Sequence, residues 1–296
     1  MNEPTTNHLL LSDGRTLSYS DTGTGENGTW IHCHGIPGSR YELLHLSDQL
    51  YAAGLRIIVA DRPGYGDSTP CPDNGFAQHT SDICQLADQL GLERFSVSGF
   101  SGGGVFALAT AHDIGDRAER LTIAATPAVP LMQSPFDQAS ELTANSWKAA
   151  LENVKKLAVE LEELTGPEDV LCEALMSAVG PDEEQYLSSE PVRQAFYRSI
   201  RTALQQGSTE SARALARDTR LIVEQWPFSL AQLNLPTQVI HGECDQLVHQ
   251  EHQTALIQHL PRAEQRFLSG KGHFSLLSSL YVDRTAAMPD PKTEGL

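Results

Sequence analysis

The 296-residue sequence predicts an α/β fold in which a mostly parallel central sheet is flanked by helices. Two observations predict it. Short apolar runs typical of strands alternate with helical periodicity over residues 1–129 and again after residue 228. Between them, residues 130–228 repeat helical periodicity and contain no convincing strand. We therefore expect one α/β core that is interrupted by a helical insertion.

The core is expected to contain eight strands, the first two of which form an antiparallel hairpin. The dipeptide Asp13-Gly14 separates two strand-like runs, and this is a typical hairpin turn. The predicted strands cover residues 8–11, 16–20, 30–34, 55–60, 95–98, 121–124, 236–241 and 264–268. Helices are predicted between strands, for instance over residues 41–53, 80–90 and 250–260.

The insertion is expected to form a helical cap between strands six and seven. Apolar residues recur there at steps of three and four residues: Trp147, Leu151, Val154, Leu157, Leu161 and Leu164. Proline and acidic residues mark helix starts at Gly166-Pro167-Glu168-Asp169 and at Ser189-Glu190-Pro191. Since most of the apolar residues would hold the cap helices together, the sequence assigns none of them to ligand binding. The predicted division is a core over residues 1–129 and 229–283, a cap over 130–228 and a flexible tail over 284–296.

The composition is strongly acidic, with 38 Asp and Glu against 21 Lys and Arg. A negative surface repels nucleic acid and anionic membranes, so neither is expected as a partner. The five cysteines are scattered, odd in number and without C-x-x-C spacing, which is typical of reduced thiols in a cytoplasmic protein. No segment reaches the roughly 20 apolar residues of a membrane span. We expect a soluble cytoplasmic protein, whose oligomeric state the sequence does not determine.

Several histidines are candidates for metal ligands. His32 and His34 lie two residues apart on one strand, but no carboxylate or cysteine cluster at ligand spacing completes a metal site. Their expected roles are packing and hydrogen bonding. His249, His252 and His259 fall on or near one face of the last predicted helix and are expected at the surface. The sequence predicts neither a metal nor a cofactor.

The segment Gly99-Phe100-Ser101-Gly102-Gly103 is the most informative motif of the chain. It follows a predicted strand and precedes a helix-forming run, so Ser101 would lie on a sharp strand-to-helix turn. Glycines on both sides allow the strained backbone of such a turn, and the helix directs its first N–H groups at developing negative charge. On its own, the motif is equally compatible with a Gly/Ser-rich phosphate loop or a plain turn.

Two downstream residues favour the interpretation of Ser101 as a nucleophile. A serine hydroxyl needs a base to take its proton and a carboxylate to orient that base. Asp245 follows the predicted strand 236–241, and His273 lies in a Gly-rich loop after strand 264–268. The chain order is therefore nucleophile, acid, histidine, each just past the end of a strand.

Five motifs in this order resemble those of serine hydrolases with the α/β-hydrolase fold, of the esterase-like kind, over residues 16–274. They are His34-Gly35-Ile36-Pro37-Gly38-Ser39-Arg40, the run Asp61 to Ser68, the Ser101 turn, His241-Gly242-Glu243-x-Asp245, and Gly272-His273. The resemblance implies an oxyanion hole made by the backbone N–H groups of Ile36 and Gly102. Some members carry the acid after strand six, where this chain has none. A serine at residue 101 disfavours dehalogenases and epoxide hydrolases, which carry aspartate there.

The resemblance implies a cofactor-free serine hydrolase that cleaves a carboxylic ester or related acyl bond, and the acidic surface favours a small neutral substrate. In this hypothesis Ser101 attacks, His273 transfers the proton and Asp245 orients the imidazole. Lactonase, amidase or aminopeptidase, carbon–carbon bond hydrolase and perhydrolase activities remain open, because all use the same triad. A non-catalytic member of the fold that binds a small ligand is the alternative outside enzymes.

Overall fold

The computed structural model describes residues 4–166 and 169–281. Within these ranges the strands form one eight-stranded sheet in the order β1-β2-β4-β3-β5-β6-β7-β8. Strand β2 pairs antiparallel with β1 and with β4, and the remaining neighbours are parallel. The strands are β1 (Thr5–Leu10), β2 (Thr16–Gly23), β3 (Thr29–Cys33), β4 (Arg56–Ala60), β5 (Phe95–Phe100), β6 (Ala118–Ala124), β7 (Thr237–Gly242) and β8 (Ala263–Leu268). The mostly parallel sheet flanked by helices that the sequence predicts is confirmed.

Helices cover the sheet and fill the interval between β6 and β7. The helices are α1 (Ser47–Ala52), α2 (Phe76–Gln89), α3 (Gly102–Ile114), α4 (Glu141–Thr165), α5 (Val170–Ser177), α6 (Pro181–Ser188), α7 (Glu190–Ala203), α8 (Ser208–Val223) and α9 (Glu251–His259). Alternate residues of β4 enter two separate cores. Ile58 packs in the cluster that contains apolar residues of α2 and α3, whereas Ile57 and Val59 pack with Leu50 of α1. The strand period of two thus places helices on both faces of the sheet.

Among the described residues, five helices, α4 to α8, lie between β6 and β7, where the sequence predicts the helical cap. Helix α4 begins at the capping residue Ser140, whose side chain accepts the N–H of Thr143, and it packs mainly against α8. It bends at Asn153, whose backbone is not helical and whose side chain accepts the N–H groups of Lys155 and Lys156. The boundaries of the cap stay a prediction, and the predicted tail lies outside the described residues.

Two predicted helices have different bounds in the structure. The helix expected over residues 41–53 starts late, because residues before it are held by other contacts: the N–H of Arg40 donates to Asp61, and Glu42 accepts the N–H of Gly35. Only a short 3₁₀ turn precedes α1. Helix α2 starts earlier than expected, at Phe76, whose buried ring packs 5.1 Å from that of Phe106. In the described part of the chain, no helix is both long and apolar enough to cross a bilayer.

Candidate active site

Ser101 lies at the junction of β5 and α3 in a strained backbone conformation. Its φ is 52° and its ψ is −130°, a combination that side-chain-bearing residues rarely adopt. The N–H of Ser101 donates to the carbonyl of Ala124 on β6 at 2.8 Å, which fixes the turn. A Cβ atom on Gly103 would lie 2.1 Å from the carbonyl oxygen of Cys33, so only glycine allows α3 to pass this close to β3. The structure therefore gives residues 99–103 the strained strand-to-helix turn expected from the sequence.

Ser101 and His273 line the same cavity, which has a volume of about 150 Å³. Ile36 and Gly102 line it as well. The cap supplies a mostly aliphatic wall that includes Leu142, Leu161, Leu164, Leu171, Leu175 and Leu215. Among the described residues, no Lys, Arg, Asp or Glu is part of the lining. The cavity is thus suited to an uncharged, apolar group placed next to the serine.

His273 is paired with Asp245 in the protein interior. The Nδ1 atom of His273 lies 2.9 Å from Oδ2 of Asp245, and both side chains are buried. Burial lowers the pKa of His273, but the charge and hydrogen bond of Asp245 outweigh it, and the pKa is raised from its ordinary value. Burial raises the pKa of Asp245, but the interaction with His273 outweighs it, and the pKa is lowered. Asp245 is therefore an ionised hydrogen-bond acceptor for the imidazole.

Asp245 is held by its own backbone surroundings. Its Oδ1 atom accepts the N–H groups of Leu247 and Val248, both at 3.0 Å. These two bonds leave Oδ2 to face His273. Glu243, two residues earlier, is solvent-exposed, and its carboxylate accepts from Ser269 and from the N–H of Gly270. The structure thus brings Asp245, and not Glu243, to the imidazole.

The loop after β3 carries Ile36 beside the serine. The N–H of Gly35 donates to Glu42 at 2.8 Å, and the carbonyl oxygen of Gly35 lies 2.9 Å from Nδ1 of His34. A Cβ atom on Gly102 would lie 2.7 Å from the Ile36 side chain, so the two candidate oxyanion residues are adjacent. Gly102 is the first residue of α3, where backbone N–H groups have no acceptor within the helix. The loop after β3 and the start of α3 are thus adjacent at the cavity.

The histidines considered as metal ligands have other partners. His32 contacts Glu42 through Nε2 at 2.8 Å and Ser98 through Nδ1 at 3.0 Å, deep in the core. His34 accepts the N–H of Arg62. Over residues 4–166 and 169–281, no group of three His, Cys, Asp or Glu side chains is arranged to hold a metal ion.

The surface position expected for His252 is wrong. The residue is fully buried, because it shares the inner face of α9 with Leu256, one turn further on. Its Nδ1 atom accepts the N–H of Ala128, and its Nε2 atom lies 3.1 Å from the carbonyl of Gln138. Burial lowers the pKa of His252 to about 4, so the ring is neutral and serves to join α9 to the start of the cap.

Comparison with known proteins agrees with this fold. The family described as "alpha/beta hydrolase fold" matches residues 31–280, which is most of the chain. This chain belongs to that family. A thermophilic esterase from Thermogutta terrifontis superposes with a TM-score of 0.70 at 22% identity, over 93% of each chain. At this identity, the likeness shows the fold alone.

Relatives within the α/β-hydrolase family differ in the reactions that their names give. A 2-hydroxy-6-oxononadienedioate/2-hydroxy-6-oxononatrienedioate hydrolase from Burkholderia vietnamiensis is 25% identical over 90% of this chain and 88% of its own length. A soluble epoxide hydrolase from Corynebacterium sp. is 33% identical, but over only 42% of each chain. The protein is therefore a hydrolase-family member whose bond specificity is not given by similarity.

Three buried charged residues near the site were not identified from the sequence. Glu183 of α6 accepts, at 2.6 Å, the N–H of Ser275, which lies two residues after His273. Burial raises the pKa of Glu183. Arg62 and Asp218 form an ion pair behind the loop that carries Ile36. Arg62 belongs to the run 61–68, whose prolines and glycines favour a plain turn. The two acidic residues lie on cap helices that carry no motif, so only the tertiary structure reveals them.

Proposed function

We propose that this protein is a serine hydrolase that cleaves a carboxylic ester or related acyl bond of a small neutral substrate. The observation that carries the proposal is the pairing of buried His273 with ionised Asp245 at the wall of the cavity that Ser101 also lines. A strained serine at a helix start, a neighbouring imidazole and an orienting carboxylate are the parts that acyl transfer needs.

The reaction would run in two halves. The Oγ atom of Ser101 attacks the carbonyl carbon while Nε2 of His273 takes the hydroxyl proton, and the carbonyl π electrons move to the oxygen. The N–H groups of Ile36 and Gly102 stabilise that oxyanion. Collapse expels the leaving group, which receives the proton from His273. Water then attacks the acyl-enzyme while His273 takes its proton, and the second tetrahedral intermediate collapses to the acid as His273 returns that proton to the Oγ atom of Ser101.

The cavity lining supports an uncharged substrate. The dienedioate named for the Burkholderia relative carries two carboxylates, and a buried carboxylate requires a cationic or hydrogen-bonding partner. The described lining offers Thr143, Ser146 and Thr219 as its hydroxyl-bearing cap residues and contains no Lys or Arg. A neutral acyl group fits this wall better than a dianion. Serine at position 101 likewise supports acyl transfer over the epoxide opening named for the Corynebacterium relative.

We also propose a small-molecule partner and a cytoplasmic location for this protein. The acidic composition supports a small-molecule substrate and not nucleic acid or an anionic membrane, and the unpatterned cysteines support a cytoplasmic location. No cofactor is needed for the steps above.

The proposal is tested with p-nitrophenyl esters of rising acyl length, assayed beside lactones and amides, and with a fluorophosphonate that labels nucleophilic serines. We expect Ser101→Ala to abolish both ester turnover and labelling with the fold intact, because the change removes the nucleophile and little volume. Ser146→Ala is the matched control, since Ser146 lines the same cavity from the cap. Labelling that persists in S101A, or that is lost in S146A, would contradict the assignment. A wild-type protein that neither turns over nor labels would support a ligand-binding role.

A further inference from the structure

Arg62 is a buried cation behind the loop that carries Ile36. It follows β4, is 1% exposed, and its guanidinium lies 4.5 Å from the centre of the Phe106 ring. The Nη1 atom donates to the carbonyl of His34 at 2.5 Å, Nη2 donates to the carbonyl of Gly35 at 2.8 Å, and Nε donates to Asp218 at 2.7 Å. A buried charge is costly unless it is paired and hydrogen-bonded, and Arg62 has an ion-pair partner and an acceptor for each of its three guanidinium nitrogens.

The carbonyl oxygen of Gly35 belongs to the same peptide group as the N–H of Ile36. The peptide bond between Gly35 and Ile36 is trans, so the C=O bond of Gly35 and the N–H bond of Ile36 point in opposite directions. Because the Arg62 guanidinium binds the oxygen, the N–H of Ile36 is directed away from Arg62. Gly35 and Ile36 both line the cavity beside Ser101. The guanidinium therefore fixes the direction of the donor that the proposed mechanism requires.

The same contact changes the strength of that donor. A hydrogen bond to a carbonyl oxygen polarises the amide, and linked hydrogen bonds strengthen one another in a low-dielectric interior. A second donor, Nδ1 of His34, lies 2.9 Å from the same oxygen. Burial and the charge of Arg62 lower the pKa of His34 well below its ordinary value, so the ring is neutral and its Nδ1–H can donate while Nε2 accepts from Arg62. The peptide is thus polarised by two donors, one of them charged.

The position of Arg62 depends in turn on the cap. Asp218 lies on α8, is fully buried, and accepts from Arg62 through one oxygen and from Arg217 through the other. Its neighbours on the same helix, Leu215 and Thr219, line the cavity. One ion pair thus connects the helix that contacts the substrate cavity with the loop that supplies the oxyanion donor.

We propose that Arg62 is a positioning residue for the oxyanion hole, which orients and polarises the Gly35–Ile36 peptide, and that Asp218 of the cap holds Arg62 in this role. The inference rests on the proposed function, because it assigns a part in the acyl-transfer step.

The test compares two double variants. R62M/D218L replaces the buried Arg62–Asp218 pair by apolar side chains, a change that commonly leaves stability unaltered. Arg217 loses Asp218 in this variant but keeps its hydrogen bonds to the carbonyls of Cys71 and Pro63. R15M/D82L makes the same replacement at the Arg15–Asp82 pair, which is joined by two hydrogen bonds and whose residues do not line the cavity. Loss of one oxyanion donor costs about 10²- to 10³-fold in kcat. Because the Ile36 N–H is misaligned and not deleted, we expect kcat of R62M/D218L to fall by about 10- to 100-fold with KM little changed.

A second measurement separates positioning from a structural role. Binding of an alkyl boronic acid, which forms a tetrahedral adduct with serine, should weaken in R62M/D218L by the same factor as kcat. Binding of the neutral product alcohol, which carries no oxyanion, should not change, and R15M/D82L should match the wild type in both measurements. R62K keeps the charge but cannot donate to Asp218 and both carbonyls in the geometry of the guanidinium, so its kcat should lie between those of the wild type and R62M/D218L. If R62M/D218L does not fold, R62K is the variant that tests the inference.

Folded R62M/D218L or R62K protein with the kcat and boronic acid affinity of the wild type would overturn the inference. Equal losses of kcat in R62M/D218L and R15M/D82L would also overturn it, because they would indicate a general effect of removing buried charge. A wild-type protein without ester turnover or Ser101 labelling would instead refute the proposed function. That result differs from the two outcomes above, in which the wild type is active.

Discussion

Replacement of Asp245 by asparagine is expected to abolish most of the activity through the orientation of a single side chain. The Oδ1 atom of Asp245 accepts two backbone N–H groups, from Leu247 and Val248, and Oδ2 faces Nδ1 of His273. An asparagine has one oxygen, and the two backbone donors would keep it in the place of Oδ1. Its NH₂ group would then face His273.

An amide donor at this place forces the wrong tautomer on the imidazole. Nδ1 of His273 would become the acceptor, so the proton would reside on Nε2, which then could not take the proton of Ser101. The same replacement in the triad of a serine protease lowers kcat by about 10⁴-fold, or about 5.5 kcal/mol of transition-state free energy. Because Asp245 is fully buried and its orientation is fixed by two bonds, we expect a loss of this size in kcat for Asp245→Asn.

The assay is steady-state hydrolysis of p-nitrophenyl esters, and the control is Glu243→Gln, two residues away. Glu243 is exposed and contacts Ser269 and Gly270, so a glutamine keeps its acceptor oxygen and kcat should stay close to that of the wild type. Circular dichroism and thermal unfolding show whether both variants are folded. Equal losses of kcat at the two positions, or a larger loss for Glu243→Gln, would refute the assignment of the acid.

Two further outcomes are expected. The value of kcat/KM should fall along a single ionisation as the pH drops through the pKa of His273, because a protonated imidazole cannot accept a proton. The midpoint should lie above the ordinary value of 6.5, since Asp245 raises the pKa of His273. A midpoint below 6.5 would contradict this. Leu175→Trp should fill part of the cavity and lower kcat/KM for an octanoyl ester by about tenfold or more relative to an acetyl ester, whereas Leu151→Trp, on the exposed side of α4, should leave the ratio unchanged.

The sheet and the positions of the candidate residues could be predicted from the sequence because they depend on local signals. Strands buried on both faces are short apolar runs, and residues just past their ends meet at one edge of a parallel sheet. Ser101, Asp245 and His273 follow β5, β7 and β8, respectively. The glycines around Ser101 are equally informative. The close approach of α3 to β3 requires a residue without a side chain at position 103, and a glycine can be read directly from the sequence.

Features that depend on distant parts of the chain could not be predicted in this way. The helix expected over residues 41–53 starts late because Arg40 and Glu42 are bound by groups that lie elsewhere in the chain. His252 is polar, so its sequence favours the surface, but a buried N–H from Ala128 gives it a partner in the core. The cap residues that line the cavity share the same helical periodicity as those that only pack, so periodicity does not separate the two groups.

Glu183 and Asp218 indicate that the cap completes the site as well as covering it. Both are buried carboxylates on cap helices, and each meets a loop that carries a candidate functional group: Glu183 binds the backbone two residues after His273, and Asp218 binds Arg62 behind Ile36. The contacts join residues 92 and 156 positions apart, so neither can form until cap and core are packed together. A carboxylate is costly to bury unless it accepts hydrogen bonds, and each of the two accepts at least one from the core: Glu183 from Ser275, and Asp218 from Arg62. We infer that the core alone would leave Arg62 and the backbone of Ser275 without these two carboxylates, and that the cap thereby helps to hold the loops that carry His273 and Ile36.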